Sequence, residues 1–147
     1  MAGDSSRVAL PSRECVEQRI QRMMEAGFHR LMSLELVGWE YGKATVKVSV
    51  TPSLLNKDRT LQGGAIAALA DCALAAAAYT VVPENQHMTT IDLATTYFRP
   101  IREGVVEANA IVVRHGRRVL NGEIEIRSDE GQVMAKTISN YLILSSE

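Results

Sequence analysis

A chain of 147 residues, 46% of them hydrophobic, is long enough to bury the core of one domain. With 16 basic and 17 acidic side chains and a net charge of -1, it has no general attraction for nucleic acid or an anionic membrane, so an anionic ligand would need a local basic cluster. Cys15 and Cys72 are far apart in sequence and share no metal-ligand spacing, which fits a reducing, cytoplasmic setting.

Residues 1–11 read as a loose segment ahead of a single domain over 12–147, and they lack the apolar stretch with basic flanks of a secretory signal. Ser12 is a plausible N-cap with Glu14 in the first turn; Val16, Ile20, Met23 and Met24 then recur at helical spacing, and Gly27 reads as the stop. A strand over 34–39 and a turn at Gly42 follow. Ala44, Val46, Val48 and Val50 then alternate with Thr45, Lys47, Ser49 and Thr51, a strand with one buried face. Residues 52–61 read as a polar loop and 63–79 as a long apolar helix. After a loop over 81–86, strands are expected over 88–98, 105–114, 118–127 and 133–144, with turns at His115-Gly116 and Asp129-Glu130-Gly131. Short turns between consecutive strands imply antiparallel pairing, and the class is α+β.

The long helix carries most of the information. Its length approaches that of a membrane span, but it is mostly alanine and sits among alternating strands of a soluble type. Being apolar nearly all round, it must be covered on every side, so we expect a curved sheet wrapped around it and a second copy of the protein or another layer over the remainder. Asp71 is the single carboxylate in this run. A buried carboxylate is costly unless paired, hydrogen-bonded or protonated, and a carboxylate in a cleft suits work as a base or nucleophile. The bland alternative is a solvent-facing Asp or one bonded to a backbone N–H. At the helix start, Gln62-Gly63-Gly64 offers unpaired N–H groups without side-chain bulk, able to stabilise a developing oxyanion, although Gly-Gly also simply makes turns. Gly63 and Asp71 are eight residues apart (71 − 63), about 12 Å along one helix, so one carbonyl can reach both only if they come from two chains with antiparallel helices.

Residues 56–64, Asn-Lys-Asp-Arg-Thr-Leu-Gln-Gly-Gly, followed by Leu69-Ala70-Asp71, resemble the signature of the PaaI-like hotdog thioesterases, in which Asn, a spacer, His-Gly-Gly and then Leu-x-Asp occur in order. Thr90-Ile91-Asp92-Leu93, Thr96-Tyr97-Phe98-Arg99-Pro100, Gly116-Arg117-Arg118 and Gly131-Gln132-Val133-Met134-Ala135 extend the likeness over about residues 30–145. The resemblance implies a hotdog fold and hydrolysis of an acyl-CoA to a carboxylic acid and CoA by a homodimer or a dimer-of-dimers tetramer, with no metal or other cofactor. It makes Asp71 the general base or nucleophile and Gly63 the donor that polarises the thioester carbonyl. Asn56 becomes a polar neighbour of that carbonyl, and Thr90 the hydroxyl that orients the attacking water. Gln62 stands where the family has His; an amide hydrogen-bonds but does not titrate near neutral pH, so a positioning role is expected there.

CoA phosphates call for arginine. Arg99 and Arg102, and Arg114, Arg117 and Arg118, occupy two strand-end positions read as neighbouring; with Gly64, Tyr97 and Phe98 they form the candidate substrate-binding set, and the resemblance places nucleotide contacts along 97–102 and 114–119. For each arginine alone, solvated turn charge is the competing explanation. His29, His87 and His115 share no metal spacing. Cys72 reads as a small buried residue, and Ser145 and Ser146 lack the context of a serine nucleophile. Met23, Met24, Phe28 and Met32 line either an acyl pocket or the core. Two other functions compete: a non-catalytic acyl-CoA-binding module, favoured only by Gln62, and an enoyl-thioester hydratase, disfavoured because His87 is the nearest His after Asp71. The acyl group, the thiol carrier (CoA or an acyl carrier protein) and the choice between dimer and tetramer stay open.

Overall fold

The computed structural model describes residues 9–145; the first eight residues of the expected loose segment, and Ser146 with the final residue, lie outside them. The elements run α1 (Arg13–Met24), α2 (Gly27–Leu31), β1 (Glu35–Glu40), β2 (Lys43–Ser49), a 3-10 turn (Pro52–Leu54), α3 (Gly63–Tyr79), β3 (Gln86–Tyr97), β4 (Val105–His115), β5 (Val119–Ser128) and β6 (Val133–Ser145). The expected strands are all present, with ends moved by one or two residues, as fraying termini allow.

Ser12 caps α1 as expected, its Oγ accepting from the Cys15 N–H at 3.2 Å. Gly27 does not stop the chain. The first helix ends at Met24, and Gly27 opens the unexpected α2 behind the extended N-cap Ala26. The Gly27 signal misled because a glycine can begin a helix as readily as end one when the residue before it is extended.

The six strands form one antiparallel sheet in the order β1-β2-β4-β5-β6-β3. Inward residues of alternate parity, among them Val46 and Val48 on β2, Val106 and Ala108 on β4, and Leu120, Ile124 and Ile126 on β5, bury against Ile66, Leu69, Ala70, Ala73, Leu74 and Ala77 of α3. The alanines let the sheet close tightly on the helix. At Gly122 of β5 a Cβ would collide with the buried Leu74 side chain, which would have to shift. Beyond the C-terminal end of α3, Thr80 Oγ1 donates to Ala77 O and accepts from the Gly42 N–H, tying the β1–β2 turn to the helix. Arg19 of α1 lies over the Tyr79 ring and donates to the carbonyls of Tyr79, Val82 and Gln86, which fixes the loop into β3.

Two features position the site. Sheet and α1 together cover α3 except along one stripe, where Gly64 is exposed and Ala67, Ala68, Asp71 and Ala75 are half-buried. Beside that stripe runs β3, an edge strand of 12 residues that among the described residues pairs only with β6. Among the described residues no helix is long and apolar enough to cross a membrane.

Candidate active site

Asp71 sits in the middle of the uncovered stripe. Two donors converge on its Oδ1: Thr90 Oγ1 of β3 at 3.0 Å and the Tyr141 hydroxyl of β6 at 2.7 Å, the latter also 2.7 Å from the Asp71 backbone oxygen. Thr90 and Tyr141 face each other across the β3–β6 ladder, so one register fixes both donors. A bulge follows at once, between Thr90 and Asp92. Oδ2 accepts no hydrogen bond from the described residues and is the oxygen left to take a proton or attack a carbon. Burial pushes the Tyr141 phenol far above its ordinary value, and the Asp71 charge adds to this, so Tyr141 stays protonated and donates.

Tyr141 is absent from the residues legible in the sequence. A signal for it existed: on the inward parity of the last strand (Thr137, Ser139, Tyr141, Ile143) it is the one side chain with a phenol, which when buried needs a partner. The stranded Asp71 needed a donor. Nothing local to either residue shows that they meet, because 70 residues separate them.

The second half of the candidate site is the start of α3. The N–H groups of Gly63 and Gly64 have no acceptor among the described residues, while Gln62, the N-cap, makes no side-chain cap and is exposed. Tyr97, expected in the ligand-binding set, donates its hydroxyl to Gly63 O at 2.7 Å and packs where a Gly63 Cβ would go, 3.2 Å from its oxygen. Asn56 closes the preceding loop on itself: its Oδ1 accepts from the Asp58 and Thr60 N–H groups and its Nδ2 donates to Thr60 Oγ1, leaving one amide hydrogen for a ligand.

The structure therefore joins Asp71 with Thr90, and Gly63 with Tyr97, Gln62 and Gly64, but within one chain it keeps the two groups apart along α3. The arginines need a correction. Arg99 and Arg102 follow β3 at one end of the sheet, and Arg102 shares its cleft with Glu103, Asp129 and Glu130. Arg114, Arg117 and Arg118 surround the β4–β5 turn at the opposite end, where Arg117 and His115 neighbour Gln86 at the start of β3. They are not neighbours in one chain, because β4, of 11 residues, spans the sheet between them.

Cys72 is buried beside Met24, and burial, then the Asp71 charge, pushes its thiol up to about 12, which makes it inert at neutral pH. Met23 and Met24 pack against the core, Met32 is buried within it while bordering a surface cavity, and Phe28 is exposed at that cavity. Among the described residues no group of three or more His, Cys, Asp and Glu is arranged to hold a metal.

Residues 59–135 match the thioesterase superfamily. The solved structures similar to this chain include the following. A mutant of the phenylacetic acid degradation protein PaaI from Thermus thermophilus is 29% identical, with TM-score 0.73 over 80% of this chain and 98% of that one. A conserved protein from Pseudomonas aeruginosa is 26% identical, with TM-score 0.79 over 91% and 100%. The PaaI protein of E. coli, 20% identical with TM-score 0.82 over 90% and 96%, shares the fold.

Proposed function

This chain belongs to the thioesterase superfamily as a PaaI-like hotdog protein, and on that premise we propose that it hydrolyses an acyl-CoA to a carboxylic acid and CoA at a site shared by two protomers. One observation carries the reading: a carboxylate held by two donors, Thr90 and Tyr141, on the uncovered stripe of an otherwise buried helix. That stripe and the β3 edge are the surfaces for a second copy. A twofold axis between two β3 edges lays the α3 helices antiparallel and sets the Gly63 end of one beside Asp71 of the other. It also brings the end of one β3 beside the start of the other, so that the Arg99–Arg102 cluster of one protomer and the Arg114–Arg118 cluster of its partner frame one mouth. Such a mouth suits the phosphates of CoA. A tetramer would pair two such dimers.

In this mechanism the thioester carbonyl oxygen accepts from the Gly63 N–H at the positive end of α3, and Asn56 and Gln62 border it. Asp71 Oδ2 takes a proton from water, which Thr90 helps to orient, and the water oxygen attacks the carbonyl carbon. The C–S bond breaks, and the leaving thiolate takes the proton held by Asp71, which gives CoA and restores the carboxylate. Direct attack by Asp71 would instead form an anhydride that water then opens to the same products. The free cysteines fit a reducing, cytoplasmic setting.

The test is Asp71→Asn, assayed by thiol release from acyl-CoAs. Turnover should fall about 100- to 10,000-fold, the usual contribution of a positioned base, with CoA binding retained. Near wild-type turnover would sink the assignment. Retained CoA binding in a wild-type protein that releases no thiol from any acyl-CoA would favour the binding-only module to which Gln62 points.

A further inference from the structure

Two cavities, one bordered by an arginine and one without charge, flank the first turn of α3. One, about 300 Å3, runs past Gly63 between Thr60, Ile66, Tyr97, Phe98 and Arg99. The other, about 560 Å3, lies past Gly64 and is walled mainly by Phe28, Leu31 and Met32 of the α2 segment, by Leu54 and Leu55 of the turn before the Asn56 loop, and by Ala65, with Ser53 and Gln62 its polar lining. That volume is in the usual range for small-molecule sites, about 300–1,000 Å3. The first cavity carries a cation; the second carries no charged side chain.

The wall made by α2 is unusual on stability grounds. Phe28 is 56% exposed and Leu31 81% exposed, although a helix of only five residues could have turned polar side chains outward at no cost to the core. Exposed large apolar groups gathered around a concavity mark a binding surface. The wall is also held firmly. His29 Nδ1–H donates to Met23 O, and the turn after α2, with Ser33 at φ 56°, returns the Leu34 N–H to His29 O. On the helix side, a Cβ added at Gly64 would meet nothing within 4 Å, so glycine there keeps the cavity open to the backbone rather than relieving a clash.

Resting on the proposed thioesterase reading, we infer that the acyl group of the substrate occupies the Phe28–Leu31–Met32 cavity of the protomer whose Gly63 holds the carbonyl, with the thiol arm leaving past Tyr97 and Arg99. The substrates are therefore acyl groups that are uncharged and apolar along their length, and α2, outside the matched 59–135 region, sets their preferred length. A carbonyl seated at the Gly63–Gly64 N–H groups has one apolar and one cationic way out. The anionic carrier takes the cationic one, since arginine pairs with phosphate, and the hydrocarbon takes the other.

The experiment compares wild type with the Phe28→Ala/Leu31→Ala double variant. Both residues are largely exposed, so folding is not at stake. Straight-chain acyl-CoAs from acetyl to octanoyl are the substrates, with glutaryl-CoA as the charged-tail control. In wild type, kcat/KM should rise by about fourfold per methylene until the cavity is full, and glutaryl-CoA should fall well below hexanoyl-CoA. The double variant should lose most of that slope, its deficit against wild type growing from acetyl to octanoyl. An unchanged slope, or an equal fall for all lengths, would overturn the inference. Binding of the unreactive octyl-CoA thioether, followed by calorimetry, separates the two readings. Weaker binding by the double variant in a protein that hydrolyses no thioester would refute the thioesterase and keep the cavity assignment; equal binding by both proteins would refute the cavity.

Discussion

Replacing Tyr141 by Phe removes a single oxygen from the site and leaves the ring volume, so it isolates what the phenol does for Asp71. In the wild-type protein the Tyr141 hydroxyl, 2.7 Å from Oδ1, and Thr90, at 3.0 Å, are the two side-chain donors to that carboxylate. A hydrogen bond to a charged acceptor contributes about 1.5–3 kcal/mol, and its loss leaves Asp71 with one side-chain donor, on an edge strand. If the phenol holds Oδ1 so that Oδ2 points at the water, most of that energy is lost from the transition state. At about 1.4 kcal/mol per factor of ten, kcat should fall roughly 10- to 100-fold with KM little changed. The assay is thiol release from acyl-CoA at neutral pH, alongside thermal unfolding to show that the fold survives. A purely packing role for Tyr141 predicts kcat within about twofold of wild type, and that result would refute the positioning argument.

Gly63→Ala would place a Cβ 3.2 Å from the Tyr97 hydroxyl, pushing Tyr97 off Gly63 O and crowding the N–H that receives the carbonyl. KM and kcat should both worsen, about tenfold or more in kcat/KM, while stability changes by no more than about 1 kcal/mol because Ala is the better helix former. A Gly63→Ala enzyme with unchanged kcat/KM would remove that N–H from the mechanism. Away from the site, Glu125 is held below the ordinary carboxylate range first by its hydrogen bond from Arg127, with the Arg127 and Lys136 charges adding to it. A lowered folded-state value means this stabilisation is complete above the ordinary carboxylate pKa and is lost as pH falls through the lowered one. Glu125→Gln should therefore reduce stability at neutral pH by less than about 1 kcal/mol, as for an exposed pair, and flatten part of the loss in acid; urea unfolding at neutral and acid pH measures both.

The elements themselves were legible because their signals are local. The alternation through Val46 and Val48 needs only a handful of consecutive residues to declare one buried face, and the alanine-rich run around Asp71 declares a covered helix in the same way. An acid with no neighbour to justify it, and two glycines at a helix start, likewise mark themselves. What the sequence left unsaid is who meets whom. Tyr141 reaches Asp71 only because β3 and β6 pair in one register, and a shift of one residue would turn both Thr90 and Tyr141 to the other face. The arginines looked adjacent because their strands are consecutive, but an antiparallel strand carries the chain to the far end of the sheet. The α2 wall hid for a related reason: five residues are too few to show a period, and Phe28 and Met32 could serve core or cavity equally until the fold exposed Phe28 and buried Met32. Local periodicity writes the elements; contacts between distant elements, which cost chain entropy to close and depend on register, exist only once the chain has folded.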